Sequence, residues 1–130
     1  MNILYYISGY DGCGYYRVQL PAKYLNKRSD VYAKISSIYN KDDIKQADLV
    51  VIQKQTNQNA LQFVKYAREL GKKVISECDD CYFSIPISNP AYKYYKDRGQ
   101  DLINFYNLSD AMTVTTPHLK NFMVLRLTVT

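Results

Sequence analysis

Tryptophan is absent from this 130-residue chain, histidine occurs once, as His118, and cysteine occurs three times. An odd number of cysteines, with Cys78 and Cys81 close together, is not the pattern of a secreted disulfide framework. The longest apolar runs, residues 3–7 and 49–52, are far too short to span a bilayer. The first residues carry neither a basic leader nor a small-residue cleavage site. We therefore expect a cytoplasmic protein whose first segment is a β-strand.

A long basic run is also missing, although the chain has a formal net charge of +5 and 14 tyrosines. Lysine and arginine are spread thinly, with short pairs such as residues 27–28 and 72–73. Nucleic-acid-binding proteins cluster these residues on one face or along one helix. We therefore expect no nucleic-acid partner. A mildly positive surface that meets phosphorylated ligands, or anionic lipid head groups in a peripheral membrane contact, is favoured instead.

The chain alternates between strand-like and helix-like segments over most of its length. Its 47% apolar and 22% charged residues are ordinary for one globular domain. Segment 49–53, LVVIQ, is typical of a strand buried on both faces. Strand and helix in alternation predict a Rossmann-like three-layer α/β/α fold with a mostly parallel sheet. The predicted strands are residues 2–8, 31–36, 49–53, 73–76 and 112–115. The predicted helices are residues 15–27, 41–47 (a short helix or a turn), 59–70, 89–106 (weakened midway by Gly99) and 117–122. Gly71 stands where a glycine cap is expected after the helix at 59–70.

The strongest functional lead is the segment KKVISECDDCYFSIP, residues 72–86. A short apolar strand runs directly into three carboxylates, those of Glu77, Asp79 and Asp80. Desolvating a charge is costly unless it is paired or used, so this placement points to a site. In a parallel α/β sheet the ligand crevice lies at the carboxyl ends of the strands. The loops expected at that edge are residues 9–14, 54–57, 77–83 and 115–118.

The loop GYDGCG, residues 9–14, follows the first predicted strand. Its spacing, G-x-x-G-x-G, differs from the dinucleotide fingerprint G-x-G-x-x-G. Its glycines would let the backbone approach a phosphate, but a turn without a ligand fits the pattern equally well. Arg17, one turn into the next helix, could reach an anionic ligand or could be a solvated helix charge.

Cys78 and Cys81 form a C-x-x-C motif with two aspartates between them. A zinc site would need two more ligands, for which Cys13 and His118 are the remaining cysteine and histidine. Acidic neighbours would raise the thiol pKa and make a poor redox nucleophile. We therefore interpret these cysteines as packing residues, and His118 as a residue at a surface or helix start.

Four segments together resemble the N-terminal domain of GT-B glycosyltransferases, in a bacterial and phage-associated branch of the family-4-like group. They are ISGYDGCGYYRVQLPAKYL, ADLVVIQKQ, ARELGKKVISECDDCYFSIPISNPAY and SDAMTVTTPHLKNFM, and they span residues 1–123 in the order expected of that group. The resemblance implies an acceptor-binding Rossmann-like domain. A second domain would hold most of the nucleotide-sugar donor, and transfer would occur in the cleft between the two domains.

The resemblance also suggests site residues. Gly12 and Gly14 match the glycine loop near the donor phosphates and Arg17 matches the helix arginine, while Thr115 and Thr116 match the end of the last strand. The acidic turn of Glu77, Asp79 and Asp80 matches the turn that faces the cleft. A carboxylate would take the proton of an acceptor hydroxyl as it attacks the anomeric carbon. We favour Asp80 for that step and Asp79 for binding acceptor hydroxyls, with no metal ion and no cofactor.

Residues 124–130 are apolar and break the strand–helix pattern. We expect them to be a tail, at a truncation or at the start of a C-terminal domain, and the 130-residue chain to be inactive alone. The main alternative is a non-catalytic Rossmann-like module that binds a sugar or nucleotide. A receiver domain is disfavoured because the strand at 49–53 ends in Gln53 where the phosphoacceptor aspartate would stand.

Overall fold

Five parallel β-strands form one sheet within residues 1–54 and 58–127, the part of the chain that the computed structural model describes. The strand order is β2-β1-β3-β4-β5, and every neighbouring pair is parallel. The predicted Rossmann-like α/β fold with a parallel sheet is therefore confirmed. The strands are β1 (Asn2–Tyr6), β2 (Tyr32–Ser36), β3 (Leu49–Gln53), β4 (Lys73–Cys78) and β5 (Ala111–Val114).

Helices connect these strands and pack on both faces of the sheet. The first helical run begins with α1 (Gly12–Gly14), widens into a π-helical segment (Tyr15–Gln19) and continues as α2 (Leu20–Leu25). Pro21 follows the π-helical segment and has no N–H to donate to the preceding turn. The remaining helices are α3 (Lys41–Gln46), α4 (Gln58–Glu69), α5 (Tyr92–Asp97), α6 (Gly99–Asn107) and α7 (Pro117–Val124). In the described residues, no helix is both long and apolar enough to cross a membrane.

Two apolar clusters lie on opposite faces of the sheet, as expected when successive strand residues alternate sides. The larger cluster joins alternate residues of β1, β3 and β4, such as Val50 and Val74, to helices α3, α4, α6 and α7. The smaller cluster includes Tyr5 and Val51 and is covered by the first helical run through Val18 and Ala22. The first helical run is therefore the layer that lies above the second face, and it brings Arg17 over the sheet.

Several predicted boundaries move in the structure. Strand β4 continues to Cys78, so Glu77 belongs to a buried strand and not to the turn after it. The single helix predicted for residues 89–106 is wrong, because the helix is broken at Arg98 into α5 and α6. Gly71 has a φ of 71°, which confirms the C-terminal cap predicted after α4. Three residues of one predicted loop, 55–57, lie outside the described residues.

The expected tail also differs from the structure over its first residues. Val124 is the last residue of α7, and Leu127 is buried against the larger cluster. Packing of Leu127 therefore extends the domain beyond residue 123. Residues 128–130 lie outside the described part of the chain, and truncation stays a prediction.

The start of the first helical run depends on a close backbone approach. Asp11 caps this start, since its Oδ1 accepts a hydrogen bond of 2.8 Å from the Gly14 amide. A Cβ added at Gly14 would lie 1.9 Å from the carbonyl oxygen of Gly9, whereas one at Gly12 would meet nothing within 4 Å. The backbone at Gly14 therefore leaves no room for a side chain.

We predict that Gly14→Ala lowers the free energy of unfolding by about 2–3 kcal/mol, because the backbone at Gly9 must shift. Gly12→Ala is the matched control, and helix propensity should make it neutral or stabilising by up to about 1 kcal/mol. Urea denaturation of both variants provides the measurement. Equal stability of the two variants would show that Gly14 is not closely packed.

Candidate functional site

The candidate site lies at the carboxyl edge of the sheet, beside the point where the strand order reverses. The chain leaves β1 toward β2 on one side, and β3 lies on the other side of β1. Open α/β sheets bind ligands in the crevice at such a switch point. Segments that follow β1, β3, β4 and β5 all contribute residues to this edge, and these are Cys13, Lys54, Asp79 and Thr115.

Glu77 is a buried carboxylate near the end of β4, with 3% of its surface exposed. Its Oε1 forms an ion pair and hydrogen bonds with the guanidinium of Arg17. Burial raises the pKa of Glu77 and outweighs the opposing effect of Arg17. Its Oε2 has no hydrogen-bond partner among the described residues. Arg17 is therefore committed to a carboxylate of its own chain.

Asp79 is half-buried and sits at the centre of a hydrogen-bond network. Its Oδ1 accepts a 2.5 Å hydrogen bond from the Tyr82 hydroxyl, and the Cys13 thiol lies close enough to its carboxylate to affect its pKa. Thr115 Oγ1 donates to the Asp79 carbonyl oxygen at 3.1 Å. Burial alone would raise the pKa of Asp79, but the hydrogen bonds from Tyr82 and Cys13 and the charge of Lys54 together lower it. The network holds this carboxylate in its ionised form.

Lys54 follows β3 and is half-buried beside the acidic turn. Its amide donates to the Glu77 carbonyl oxygen at 2.9 Å, and its Nζ lies 4.9 Å from the centroid of the Tyr82 ring. Burial works to lower the pKa of Lys54, but Tyr95, Asp79 and Asp80 raise it overall. A lysine ammonium is thus held against two aspartates and an aromatic face.

Asp80 is exposed, and its carboxylate accepts no hydrogen bond from the described residues. It lines an open cavity of about 340 Å³, which we call the Asp80 cavity. The volume falls within the range of about 300–1,000 Å³ that is typical of small-molecule sites. Other residues that line the Asp80 cavity include Lys54, Tyr82, Ser84, Asn89 and Tyr95. Asp80 is therefore the carboxylate of the turn that is available to a ligand.

The structure brings some of the sequence-predicted residues together and leaves others engaged elsewhere. Arg17 with Glu77, and Asp79 with Thr115, form contacts at the site. Thr116 serves as the N-cap of α7, accepting from the Leu119 amide at 3.1 Å. Gly12 and Gly14 begin the first helical run, where the Asp11 carboxylate already accepts a hydrogen bond from the Gly14 amide. The start of this helix is therefore already capped by a carboxylate of the chain, that of Asp11.

Sequence reasoning placed Cys13, Lys54 and Tyr82 in loops at this edge without giving them a role, and it missed Tyr95. A role for Lys54 could have been inferred, because it directly follows a strand predicted to be buried. Tyr82 and Tyr95 stack with ring centroids 4.7 Å apart, but they are separated by a loop that no periodicity describes. The Cys13–Asp79 contact joins distant segments, and the sequence carries no signal for it.

All three cysteines are free thiols. Cys78 is buried, its Sγ donates to the Asp80 carbonyl oxygen at 3.2 Å, and burial raises its pKa to about 12. Cys78 therefore packs and shapes the turn. Within the described residues, no group of three or more histidine, cysteine, aspartate or glutamate side chains could hold a metal ion. His118 is exposed in the first turn of α7.

Comparison with known proteins supports the fold and gives no information on activity. No family model matches the chain, and no curated protein matches it. A crystal structure of a conserved protein from Enterococcus faecalis is similar, with a TM-score of 0.53 and 11% sequence identity. The match covers 98% of this chain and 99% of that chain. At this level of identity the likeness shows a shared fold and carries nothing about activity.

Asp79 should stabilise the fold in a pH-dependent way. Its pKa is lowered in the folded state, so its contribution is present above the ordinary aspartate pKa of about 3.9 and is lost as pH falls through the lowered value. We predict that Asp79→Asn lowers the melting temperature at pH 7 and that this difference shrinks below about pH 4. Thermal melts from pH 3 to pH 8 test this, with the exposed Asp97→Asn on α5 as control. A deficit that is constant with pH would contradict the assigned ionisation.

The same network should govern the reactivity of Cys13, which is exposed. Its hydrogen bond to Asp79, and then the charge of Asp79, raise the pKa of the Cys13 thiol. We predict that Asp79→Asn speeds alkylation of Cys13 by iodoacetamide at pH 8 severalfold, since more thiolate is present. Mass spectrometry of modified peptides measures this, and the buried Cys78 serves as an internal control. An unchanged rate at Cys13 would show that Asp79 does not contact it.

Proposed function

We propose that this chain is the acceptor-side domain of a glycosyltransferase, which transfers a sugar from a nucleotide-sugar donor to an acceptor hydroxyl. The observation that carries the proposal is the free Asp80 carboxylate on the wall of the Asp80 cavity, at the carboxyl edge of a parallel sheet. A general base must be within hydrogen-bond reach of its substrate, which here requires a carboxylate exposed to the cavity. Among the three carboxylates of this segment, Asp80 meets that condition.

In the proposed reaction, a hydroxyl oxygen of the acceptor attacks the anomeric carbon of the donor sugar. The bond between that carbon and the nucleoside diphosphate breaks, and the diphosphate leaves with the electron pair. Asp80 takes the proton of the hydroxyl, so that charge does not build up on the attacking oxygen. The Lys54 ammonium lies beside both aspartates and offsets their negative charge as the acceptor binds.

Asp79 has a positioning role in this proposal. Its Oδ1 accepts from Tyr82 and the Cys13 thiol lies beside its carboxylate, so acceptor hydroxyls are assigned to Asp80 and to the polar residues Ser84 and Asn89 of the cavity. Fixing Asp79 fixes the peptide that leads into Asp80. The hydrogen bond from Thr115 to the Asp79 carbonyl oxygen adds to this rigidity.

The donor is proposed to bind mostly to a second Rossmann-like domain across the cleft. On this side of the cleft, Arg17 is neutralised by Glu77 and the first helix start is capped by Asp11. Both features reduce the positive potential that a donor diphosphate would need. We therefore assign the Arg17–Glu77 pair to structure, and the donor phosphates to the partner domain.

We predict that Asp80→Asn lowers the rate of sugar transfer by about 100- to 10,000-fold, because asparagine keeps the shape of aspartate and cannot accept the proton. The assay uses this chain together with its donor-binding domain and measures label transferred from a panel of nucleotide sugars. The control is Asp30→Asn, which removes an exposed carboxylate just before β2, at the opposite edge of the sheet. The control should retain full activity, and thermal melts should show both variants folded.

Two results would contradict the proposal in different ways. Full activity of Asp80→Asn would show that the acidic turn is not the catalytic centre. Binding of sugars by the unmodified protein without transfer from any donor would favour the non-catalytic sugar- or nucleotide-binding module.

A further inference from the structure

A second cavity adjoins the Asp80 cavity and shares a wall with it. It has a volume of about 220 Å³ and is lined by Phe83, Tyr92, Lys96 and Gly99 in addition to the shared residues. We call it the Gly99 cavity. The shared wall consists of Tyr82, Ile85 and Tyr95. The two cavities therefore adjoin between the acidic turn and the start of α6, and we call the pair the groove.

The chemistry of the groove changes along its length. The Asp80 cavity offers a carboxylate, an ammonium, a hydroxyl and an amide, which are hydrogen-bonding partners for sugar hydroxyls. The Gly99 cavity is lined by the rings of Phe83, Tyr92 and Tyr95 and by Lys96, whose Nζ lies 5.6 Å from the centroid of the Tyr92 ring. Aromatic faces suit the apolar C–H surface of a pyranose ring, while tyrosine hydroxyls remain available to its polar edge.

The charges of the groove offset one another, because Lys54 and Lys96 stand against the carboxylates of Asp79 and Asp80. Among the described residues, Lys54 is the cation that lines the Asp80 cavity. The negative charges of Asp79 and Asp80 both raise its pKa. The carboxylates outnumber the ammonium at this end, and Lys96 adds a positive charge at the Gly99 cavity, so the groove as a whole has no net charge that would attract a phosphate. An uncharged, polyhydroxylated molecule matches both ends of the groove.

The loop that forms one side of the groove is held by its own hydrogen bonds. The amide of Ser84 donates to Cys81 at 3.1 Å, that of Asn89 to Pro86 at 2.9 Å, and that of Tyr92 to Asn89 at 2.9 Å. Asn89 Oδ1 also accepts from the Ala91 amide at 2.8 Å. The wall is thus formed before a ligand arrives, which lowers the ordering cost of binding.

We infer that the acceptor is an uncharged oligosaccharide of at least two sugar units, with the reacting unit in the Asp80 cavity and the next unit in the Gly99 cavity. The inference rests on the proposed function for the identity of the reacting unit. The geometry of the Gly99 cavity supports the second sugar unit. It assigns Tyr92 and Gly99 to the choice of acceptor length.

Gly99 offers a direct way to block the outer half of the groove. A Cβ added at Gly99 meets no atom within 4 Å, and Gly99 is the first residue of α6. Gly99→Leu should therefore fold, and because Gly99 lines the Gly99 cavity, we expect the leucine side chain to narrow it. Gly99→Ala is the matched control, because it makes the same backbone change without filling the space. Tyr92→Ala is a second variant, which removes an aromatic wall of the same cavity.

The experiment screens the 130-residue chain on a printed array of neutral mono- to tetrasaccharides and titrates the bound glycans as free sugars by calorimetry. We expect a bound disaccharide to have about tenfold higher affinity than its reacting-end monosaccharide. Gly99→Leu and Tyr92→Ala should reduce that gain to about twofold or less, while the monosaccharide affinity stays unchanged. Gly99→Ala should retain the full gain, and thermal melts check folding.

Three results would overturn the inference. Equal affinity for monosaccharide and disaccharide, or a Gly99→Leu variant that keeps the gain, would exclude a second sugar site in the Gly99 cavity. Absence of any bound glycan would exclude an oligosaccharide acceptor. In each case the transfer assay with Asp80→Asn still tests the proposed function separately, because that assay can be run with any acceptor that carries a hydroxyl group.

Discussion

The ion pair between Arg17 and Glu77 is the interaction on which the arrangement of the site depends. A buried carboxylate is costly to desolvate, and a guanidinium is the partner best suited to offset that cost. The pair joins the π-helical segment of the first helical run to the end of β4. It therefore places the first helix over the sheet and fixes the point at which the acidic turn begins. Widening of the helix just before Pro21 sets the position from which Arg17 reaches Glu77.

From that anchored strand end, the three carboxylates separate into different environments. Glu77 is buried and paired, Asp79 is held by Tyr82 and Cys13, and Asp80 is exposed in a cavity with Lys54. Similar residues thus acquire different tasks from their surroundings. The hydrogen-bonded part of the turn supports the exposed Asp80, which is the arrangement that a precise binding site requires.

The sequence was sufficient for the fold because hydrophobic periodicity and caps are local signals. The run at Leu49–Gln53 and the glycine at position 71 were placed correctly by such signals. The position of Glu77 inside β4 was missed because a charged residue is expected to end a strand, and only its long-range pairing with Arg17 allows burial. Tyr95 reaches the site through tertiary packing, which local patterns do not encode.

The central claim is that the acceptor binds in the Asp80 cavity, and a crystal structure with a bound acceptor sugar tests it most directly. The account predicts a sugar ring between Lys54 and Tyr95, with one hydroxyl within about 3 Å of the Asp80 carboxylate. A sugar bound instead in the apolar groove between β5 and α7, with the Asp80 cavity empty, would contradict it.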